Sequence, residues 1–187
     1  MSINLHSDPR CNDILNAALI VFARYGFKRV SMEDIAHETG LSRPSLYVAY
    51  PNKTAIFIAL ARAMADRACQ LSVKAWPPHE DFETGLARSA VALNLDAWRL
   101  IKGSPHGREL MSDNSVVVGE ISLEVEAHFI GLIESRLIGN QAPQGFAKMI
   151  ASAIHGIKDK AASEEELVAN IATFARVVVR GTQLNLS

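Results

Sequence analysis

The stretch Ser31–Lys53, SMEDIAHETGLSRPSLYVAYPNK, decides how this chain folds. Ser31 is placed to cap a helix over 32–39, with Asp34 three residues later in an approximate capping box. Gly40 follows that helix at a point where the chain must turn sharply, and we expect a positive φ there. The first part of the stretch therefore predicts a short helix closed by a tight glycine turn.

A second short helix follows over 43–50. Ser42 is placed to cap it, and Pro44 falls in its first turn, where a missing N–H costs little. Pro51 disfavours helix at the preceding Tyr50. Two short helices joined by a glycine turn are typical of the helix-turn-helix, whose second helix enters the major groove of DNA. An ordinary corner between two helices of a bundle is the alternative. We expect four apolar residues to face inward: Ile35, Ala36, Leu41 and Leu46.

The exposed chemistry of the second helix favours DNA over the plain helical corner. No acidic residue occurs between Glu38 and Asp66. Hydroxyls and cations suit phosphate oxygens. Lys53 stands at the start of the next helix, where backbone N–H groups also attract anions. The candidate DNA-binding side chains are Ser31, Ser42, Arg43, Pro44, Ser45, Tyr47, Tyr50 and Lys53.

The N-terminal part of the sequence resembles the N-terminal domain of the TetR (tetracycline repressor) family. The first helix ends in FARYGF at 22–27, and VSMEDIA at 30–36 and GLS at 40–42 follow. The run LY at 46–47 through YPNK at 50–53 matches the family pattern, with Tyr50 in place of the usual phenylalanine. The resemblance covers about residues 10–57.

The resemblance implies that some of the candidate DNA-binding residues contact phosphates and others contact bases. Ser31, Tyr47 and Lys53 fall on positions that typically grip phosphates, whereas 43–45 fall where bases are commonly reached. Arg43 is the only side chain there that can make a bidentate contact to guanine.

One departure from the family pattern concerns the residues after that tyrosine. Val48 and Ala49 replace the polar or aromatic residues often found there. Base readout is then expected to be sparse. It would depend on Arg43, on apolar contact between Pro44 and a thymine methyl group, and on DNA shape.

Helical periodicity dominates the remainder of the chain, and no segment alternates convincingly like a strand. The predicted fold class is all-α, with an N-terminal three-helix DNA-binding domain over 1–53 and a C-terminal helical bundle over 54–187 for ligand binding and dimerisation. Predicted helices cover about 10–25, 32–39, 43–50, 53–75, 82–101, 106–112, 115–137, 144–160 and 164–184.

Composition and charge set further bounds on function. Residues 1–75 carry nine Lys/Arg and six Asp/Glu, and residues 76–187 carry ten and fourteen. This mild asymmetry is compatible with a DNA-facing N-terminal part. The cysteines, Cys11 and Cys69, are isolated and suggest neither a disulfide framework nor a metal site. No run is apolar enough for a signal peptide or a membrane span, so we expect a cytoplasmic protein.

The second half offers candidates for an effector pocket, namely large or polar groups that interrupt apolar faces. Each could equally be a core or surface residue. Glu124 and His128 stand four apart, where an ion pair is favoured over a metal site. No cofactor, metal or catalytic constellation is expected. The candidate ligand-binding residues are Trp98, His106, Met111, His128 and Phe129.

The last two predicted helices, 144–160 and 164–184, carry wide apolar stripes. The resemblance implies a homodimer through these two helices, and the alternative is that the stripes form the core of a monomer. The stripes comprise Phe146, Met149, Ile150, Ala153, Ile154 and Ile157, with the small residues Ala147, Ala151 and Gly156, and then Leu167, Ile171, Phe174, Val178 and Leu184.

The function predicted from these features is ligand-responsive transcription regulation. The resemblance implies a repressor that a small-molecule effector releases from double-stranded operator DNA by shifting the population of two conformations. Two other classes stay open. One is a DNA-binding regulator without a ligand, and the other is a helical enzyme, against which the lack of a catalytic constellation argues.

Overall fold

The structure is a computed structural model that describes residues 6–111, 116–137 and 142–184. Within these ranges it contains α-helices and no β-strand, which confirms the all-α prediction. The helices are α1 (Pro9–Tyr25), α2 (Met32–Thr39), α3 (Arg43–Ala49), α4 (Lys53–Ala75), α5 (Phe82–Gly103), α6 (Gly107–Leu110), α7 (Val116–Arg136), α8 (Phe146–Lys160) and α9 (Glu164–Leu184). Ser115, where the seventh helix was expected to begin, lies outside the described residues.

Side-chain caps explain why the first two helices begin where they do. The Asp8 carboxylate accepts a hydrogen bond from the Cys11 amide, and Pro9 occupies the first turn of α1. At α2 both bonds of the predicted capping box form. The Asp34 amide donates to Ser31 Oγ at 3.2 Å, and the Ser31 amide donates to Asp34 Oδ2 at 2.7 Å. These bonds satisfy amides that the helices leave without an internal partner.

Glycine closes both of these helices. Gly26 ends α1 with φ of 81°, and Gly40 ends α2 in the left-handed conformation with φ of 70°. The Leu41 amide then donates to the Ala36 carbonyl at 3.1 Å, which completes the turn between α2 and α3. The expected positive φ at Gly40 is confirmed.

One compact unit, called unit 1 below, comprises residues 1–67 and 99–122. The inward prediction holds for Ile35, Ala36 and Leu46, which are 0–3% exposed, and Leu41 is half-buried against the same core. Three aromatic rings add tilted and edge-on contacts with centroids 5.0–5.9 Å apart: Phe22, Phe27 and Phe57. Other fully buried members of this core are Ile14, Leu15, Ala18 and Ile56.

The second compact unit, unit 2, comprises residues 68–98 and 123–187. Trp76 is completely buried there, and its ring meets Phe82 edge-on at a centroid distance of 5.1 Å. A β-carbon at Gly85 would collide with the Trp76 indole, so this position of α5 needs glycine. The core is completed by aliphatic residues of α5, α7, α8 and α9: Leu86, Ile133, Ile150, Ile154, Leu167 and Ile171.

Helices α4, α5 and α7 each contribute residues to both units, since the division falls inside all three. The sequence predicted a domain boundary after residue 53. This position lies at the start of α4 rather than at the division after residue 67, and the boundary remains a prediction. No helix in the described part of the chain is apolar over a sufficient length to cross a membrane.

Candidate nucleic-acid interface

Helix α3 is fixed at both ends and by one buried side chain. Ser42 Oγ accepts a hydrogen bond from the Ser45 amide at 3.3 Å, and Pro44 occupies the first turn. Tyr50 ends the helix in an extended conformation, with φ of −140°, before Pro51. Leu46 is 0% exposed and anchors α3 to the unit 1 core. The helix is thus held rigidly by local bonds and one apolar contact.

The opposite face of α3 is open to solvent. Arg43 and Pro44 are exposed, Tyr47 is 46% exposed, and Val48 is 84% exposed. The structure therefore brings three of the predicted DNA-binding side chains to one surface, and adds a valine that the sequence-based set omitted. The signal for Val48 was its helical spacing of four residues from Pro44.

Arg43 has an acidic neighbour that sequence reasoning did not pair with it. Its Nη1 atom lies 3.2 Å from Oε2 of Glu33 on α2, and both side chains are more than half exposed. A solvent-exposed ion pair contributes at most about 1 kcal/mol, so a stronger bidentate acceptor can displace it. Arg43 is oriented by this contact and stays more than half exposed.

Ser31 is exposed, but its hydroxyl already caps the N-terminus of α2. Ser31 Oγ donates to Asp34 Oδ2 at 2.7 Å. Hydrogen bonds from the Ser31 hydroxyl and amide hold the pKa of the Asp34 carboxyl below its usual value. The predicted phosphate contact of Ser31 would have to share a hydroxyl that caps the helix.

Lys53 is the predicted phosphate-binding residue whose surroundings differ most from the expectation. Its ammonium donates hydrogen bonds to the carbonyls of Phe27, Lys28 and Val30 at 2.7–3.2 Å. It also lies 4.8 Å from the centroid of the Phe27 ring. An ammonium has three N–H donors, and these three carbonyls use them all. Lys53 therefore ties the start of α4 to the turn between α1 and α2.

Tyr50 faces the interior more than the predicted DNA surface. It is half-buried against the unit 1 core, and burial, with a hydrogen bond to the Cys11 thiol, raises the pKa of Tyr50. Arg10 of α1 donates from Nη2 to the Ser45 carbonyl at 3.0 Å and so supports α3 from a neighbouring helix. Sequence reasoning missed Arg10 because nothing local relates two residues 35 positions apart.

The five candidate ligand-binding residues do not converge on one place. Trp98 and Phe129 lie buried in the core of unit 2, and His128 is exposed on α7. Met111 is 36% exposed in unit 1. The fifth, His106, precedes α6 in unit 1, where its amide donates to the Ala23 carbonyl at 3.2 Å. Two of the five thus belong to unit 1.

The predicted dimer stripes are largely the protomer's own core. Ile150 and Ile154 of α8 and Leu167 and Ile171 of α9 are 0–2% exposed within unit 2 and cannot meet a second chain. The monomer-core alternative applies to these residues and to Ala147 and Ala151, while Phe146, Ile157, Phe174 and Val178 are partly buried. Ala153 is half-buried as well, Gly156 is exposed, and the side chain of Leu184 lies outside the described residues.

Some apolar side chains of α8 and α9 are exposed, and one of them, Met149, belongs to the predicted stripe. Met149 is 59% exposed, Val177 is 61% exposed and Val168 is 41% exposed. The periodicity correctly marked which residues are apolar, but one helix can carry a buried face and an exposed apolar face side by side.

Comparisons with known proteins agree with this geometry. A sequence model of the bacterial regulatory proteins of the tetR family matches residues 14–60. The regulator RutR of Escherichia coli K12 is 40% identical over 53 residues, and YfiR of Bacillus subtilis, an uncharacterized HTH-type transcriptional regulator, is 38% identical over 52. Each match spans 28% of this chain and 25% of the relative.

Solved structures resemble the chain over nearly its whole length. A TetR-like transcriptional regulator from Rhodococcus sp. RHA1 has a TM-score of 0.67 at 20% identity, covering 92% of this chain and 96% of that one. A transcriptional regulator from Cytophaga hutchinsonii has a TM-score of 0.72 at 19% identity, covering 93% and 98%. The fatty acid degradation regulator FadR from Bacillus halodurans has a TM-score of 0.69 at 16% identity, covering 94% and 97%.

At these identities the structures establish the fold, and the sequence matches establish the helix-turn-helix segment. Residues 14–60 are therefore similar to the tetR family of bacterial regulatory proteins, within a chain that shares its overall fold with the solved structures above.

Proposed function

We propose that this protein is a transcriptional regulator that binds operator DNA through α3, represses, and is released by a small-molecule effector. The observation that carries the proposal is the solvent-facing surface of α3. A capped helix anchored by Leu46 presents Arg43, Pro44 and Tyr47 outward. Such a helix fits the major groove and can contact phosphates and base edges at once. The protein would act in the cytoplasm, where bacterial operators are.

Within this interface Arg43 would read guanine, with Pro44 and Ser45 also facing the bases, and Ser42 and Tyr47 would contact the phosphates. Arg43 is exposed and held only by the surface contact to Glu33. Its guanidinium suits the O6 and N7 acceptors of guanine. Ser31, Tyr50 and Lys53 would mainly stabilise the fold of unit 1, since the side chain of each already has hydrogen-bond partners there.

The test is selection of a preferred duplex from a random-sequence library, followed by binding measurements on Arg43→Ala. This change should relax specificity at one position per half-site by about 1–3 kcal/mol. Arg88→Ala is the matched control, because Arg88, a similarly exposed arginine on unit 2, also pairs with a glutamate, with Nη1 2.8 Å from Glu80 Oε2. Selection of no preferred sequence would overturn the proposal.

A homodimer is part of the proposal. It would form through α8 and α9, and their exposed apolar side chains support it, above all Met149 and Val177. Such residues are costly to leave in water when they gather in one patch. Met149→Glu and Val177→Glu should each weaken a dimer that forms at micromolar concentration. Val73→Glu is the control, since this valine is 44% exposed on α4.

Sedimentation decides between assembly states directly. A 20.4 kDa monomer at micromolar concentration for the unaltered chain would defeat the dimer proposal. If Met149→Glu and Val177→Glu form dimers as readily as the control Val73→Glu, the dimer interface involves other residues.

The effector would bind in unit 2. Among the described residues, four buried side-chain atoms lack hydrogen-bond partners, and all four lie in this unit: Trp76 Nε1, Ser89 Oγ, Trp98 Nε1 and Arg136 Nε. Buried polar groups are normally paired, so unpaired ones point to a bound molecule or water. A ligand with acceptor oxygens would satisfy the others but not Trp76 Nε1, which packs against Gly85. Trp98 and Phe129 are the sequence-based candidates that share this core.

A thermal-shift survey against a metabolite library tests for the effector, because a ligand that binds the folded state stabilises it by mass action. The effector should then lower operator affinity through a coupling of about 1–3 kcal/mol, and operator DNA should weaken effector binding by the same factor. Equal effector affinities with and without operator DNA would leave a DNA-binding regulator without ligand control.

A further inference from the structure

Val48 is the most exposed large apolar residue in the part of the chain that the structure describes, at 84%. It lies on α3, where Arg43, Pro44 and Tyr47 are also exposed. Valine favours neither a helix nor solvent, and here it contributes no packing within the chain. Its side chain is free to meet an apolar group on whatever α3 contacts.

The apolar surface around Val48 is small and has a definite shape. Pro44 precedes Val48 by one helical turn, so the two side chains share a face. Both are exposed, and Arg43 and Tyr47 each directly precede one of them in the chain. Leu46 points the opposite way, into the core. The outward surface is therefore a short apolar ridge, Pro44–Val48, beside a cation and a phenol.

The ridge matches one feature of the major groove. The only apolar group that a base pair presents there is the C5 methyl of thymine. A protein partner fits poorly, because stable protein interfaces bury about 1,200–2,000 Å², far more than two side chains offer. The cation beside the ridge suits guanine, as argued for Arg43.

We infer that Val48, together with Pro44, reads thymine methyl groups next to the guanine read by Arg43. This inference rests on the proposed function and specifies which base edges α3 distinguishes. It makes Val48 a specificity-determining residue, at a position where the family resemblance had suggested only the loss of a polar contact.

Replacing thymine by uracil tests the inference, since it removes the methyl group and leaves every hydrogen-bonding atom in place. The preferred duplex from the random-sequence library is resynthesised with uracil at each thymine in turn. At one or two positions per half-site, uracil should weaken binding about fourfold, as expected for one buried methyl. Substituting both half-sites of a dimer-bound duplex should weaken it about fifteenfold.

The variant Val48→Ala completes a double-mutant cycle. It should bind the thymine duplex more weakly than the unaltered protein does, and should bind the thymine and uracil duplexes equally at the position that Val48 reads. Val73→Ala, on an exposed valine outside α3, should retain the full uracil effect. Because Val48 is exposed, Val48→Ala should leave the unfolding temperature unchanged.

Two results separate failure of the inference from failure of the proposed function. Sequence-selective binding that is indifferent to uracil at every thymine overturns the reading by Val48 and leaves the protein a DNA-binding regulator. A uracil effect that keeps its full size at every thymine in Val48→Ala overturns the role of Val48 in the same way. Absence of sequence-selective binding to any duplex overturns both.

Discussion

Polar side chains differ between unit 1 and unit 2 in how they are hydrogen-bonded. In unit 1 side chains close the helix ends and turns, through Ser31 and Asp34 at α2, Ser42 at α3, and the three carbonyls held by Lys53. In unit 2 the four buried side-chain atoms described above have no partner among the described residues. The difference teaches that unit 1 pairs its polar groups through short local bonds, whereas unit 2 leaves the four buried atoms on which the effector proposal rests.

The largest expected effect concerns the anchor of α3. Leu46→Ala should lower the free energy of unfolding by about 2–5 kcal/mol, because it leaves a cavity in a fully buried site. Urea unfolding followed by circular dichroism measures this. Leu123→Ala, at a position 66% exposed, should change stability by less than about 0.5 kcal/mol. Equal losses would mean that α3 is not held by its core contact.

The next effect concerns Lys53. Lys53→Met keeps the aliphatic stem and removes three donors, so it should cost about 1.5–3 kcal/mol of stability, the range for hydrogen bonds to a charged group. The dependence of DNA affinity on salt should keep its slope, because the ammonium is occupied inside the fold. Lys74→Met, at an exposed position of α4, is the control for stability.

The salt slope distinguishes the two roles of Lys53. If Lys53 instead contacts phosphate, as its sequence position implies, the slope should flatten by about one ion per subunit in Lys53→Met. Unchanged stability together with a flatter slope would restore the sequence-based role.

A smaller effect compares two glycines of unit 1. Gly26→Ala and Gly40→Ala each force alanine into a positive φ, at a cost of about 1–2 kcal/mol. Gly26→Ala should cost more, because its β-carbon would lie 2.9 Å from Nδ1 of His106, whereas nothing lies within 4 Å at Gly40. The double variant Gly26→Ala/His106→Ala should remove most of the excess. Thermal unfolding that ranks Gly40→Ala as the worse variant would contradict the tight packing at His106.

The smallest effect is pH-dependent and concerns the cap of α2. Hydrogen bonds from Ser31 lower the pKa of Asp34 in the folded protein, so this carboxylate stabilises the fold above its unfolded pKa, near 3.8. That contribution is lost as the pH falls through the lower folded pKa. Ser31→Ala should cost about 1 kcal/mol at pH 7 and raise the pKa of Asp34. Titration of the Asp34 side chain by NMR should show the rise.

Local signals explain how much of this fold could be predicted from sequence. Ser31, Gly40 and Ser42 act on residues within five positions of themselves, so their roles follow from spacing. The contacts of Arg10 and Lys53 reach across 23–35 positions and have no local signature. The stripes of α8 and α9 show a related limit of sequence reasoning. Periodicity shows that a face is apolar, and only the fold shows whether the same chain or another one covers it.

The contact between Arg43 and Glu33 bears on how quickly the protein could search a genome. A guanidinium with no partner in the protein would bind any DNA phosphate tightly and so slow the search for the operator. Under the proposed function, Arg43 would exchange the Glu33 carboxylate, 3.2 Å away, for the two acceptors of guanine at little net cost. Elsewhere on the duplex the carboxylate remains the competing partner. Under the proposed function, Glu33 would thus compete weakly with phosphates for Arg43 on sequences that lack a suitably placed guanine.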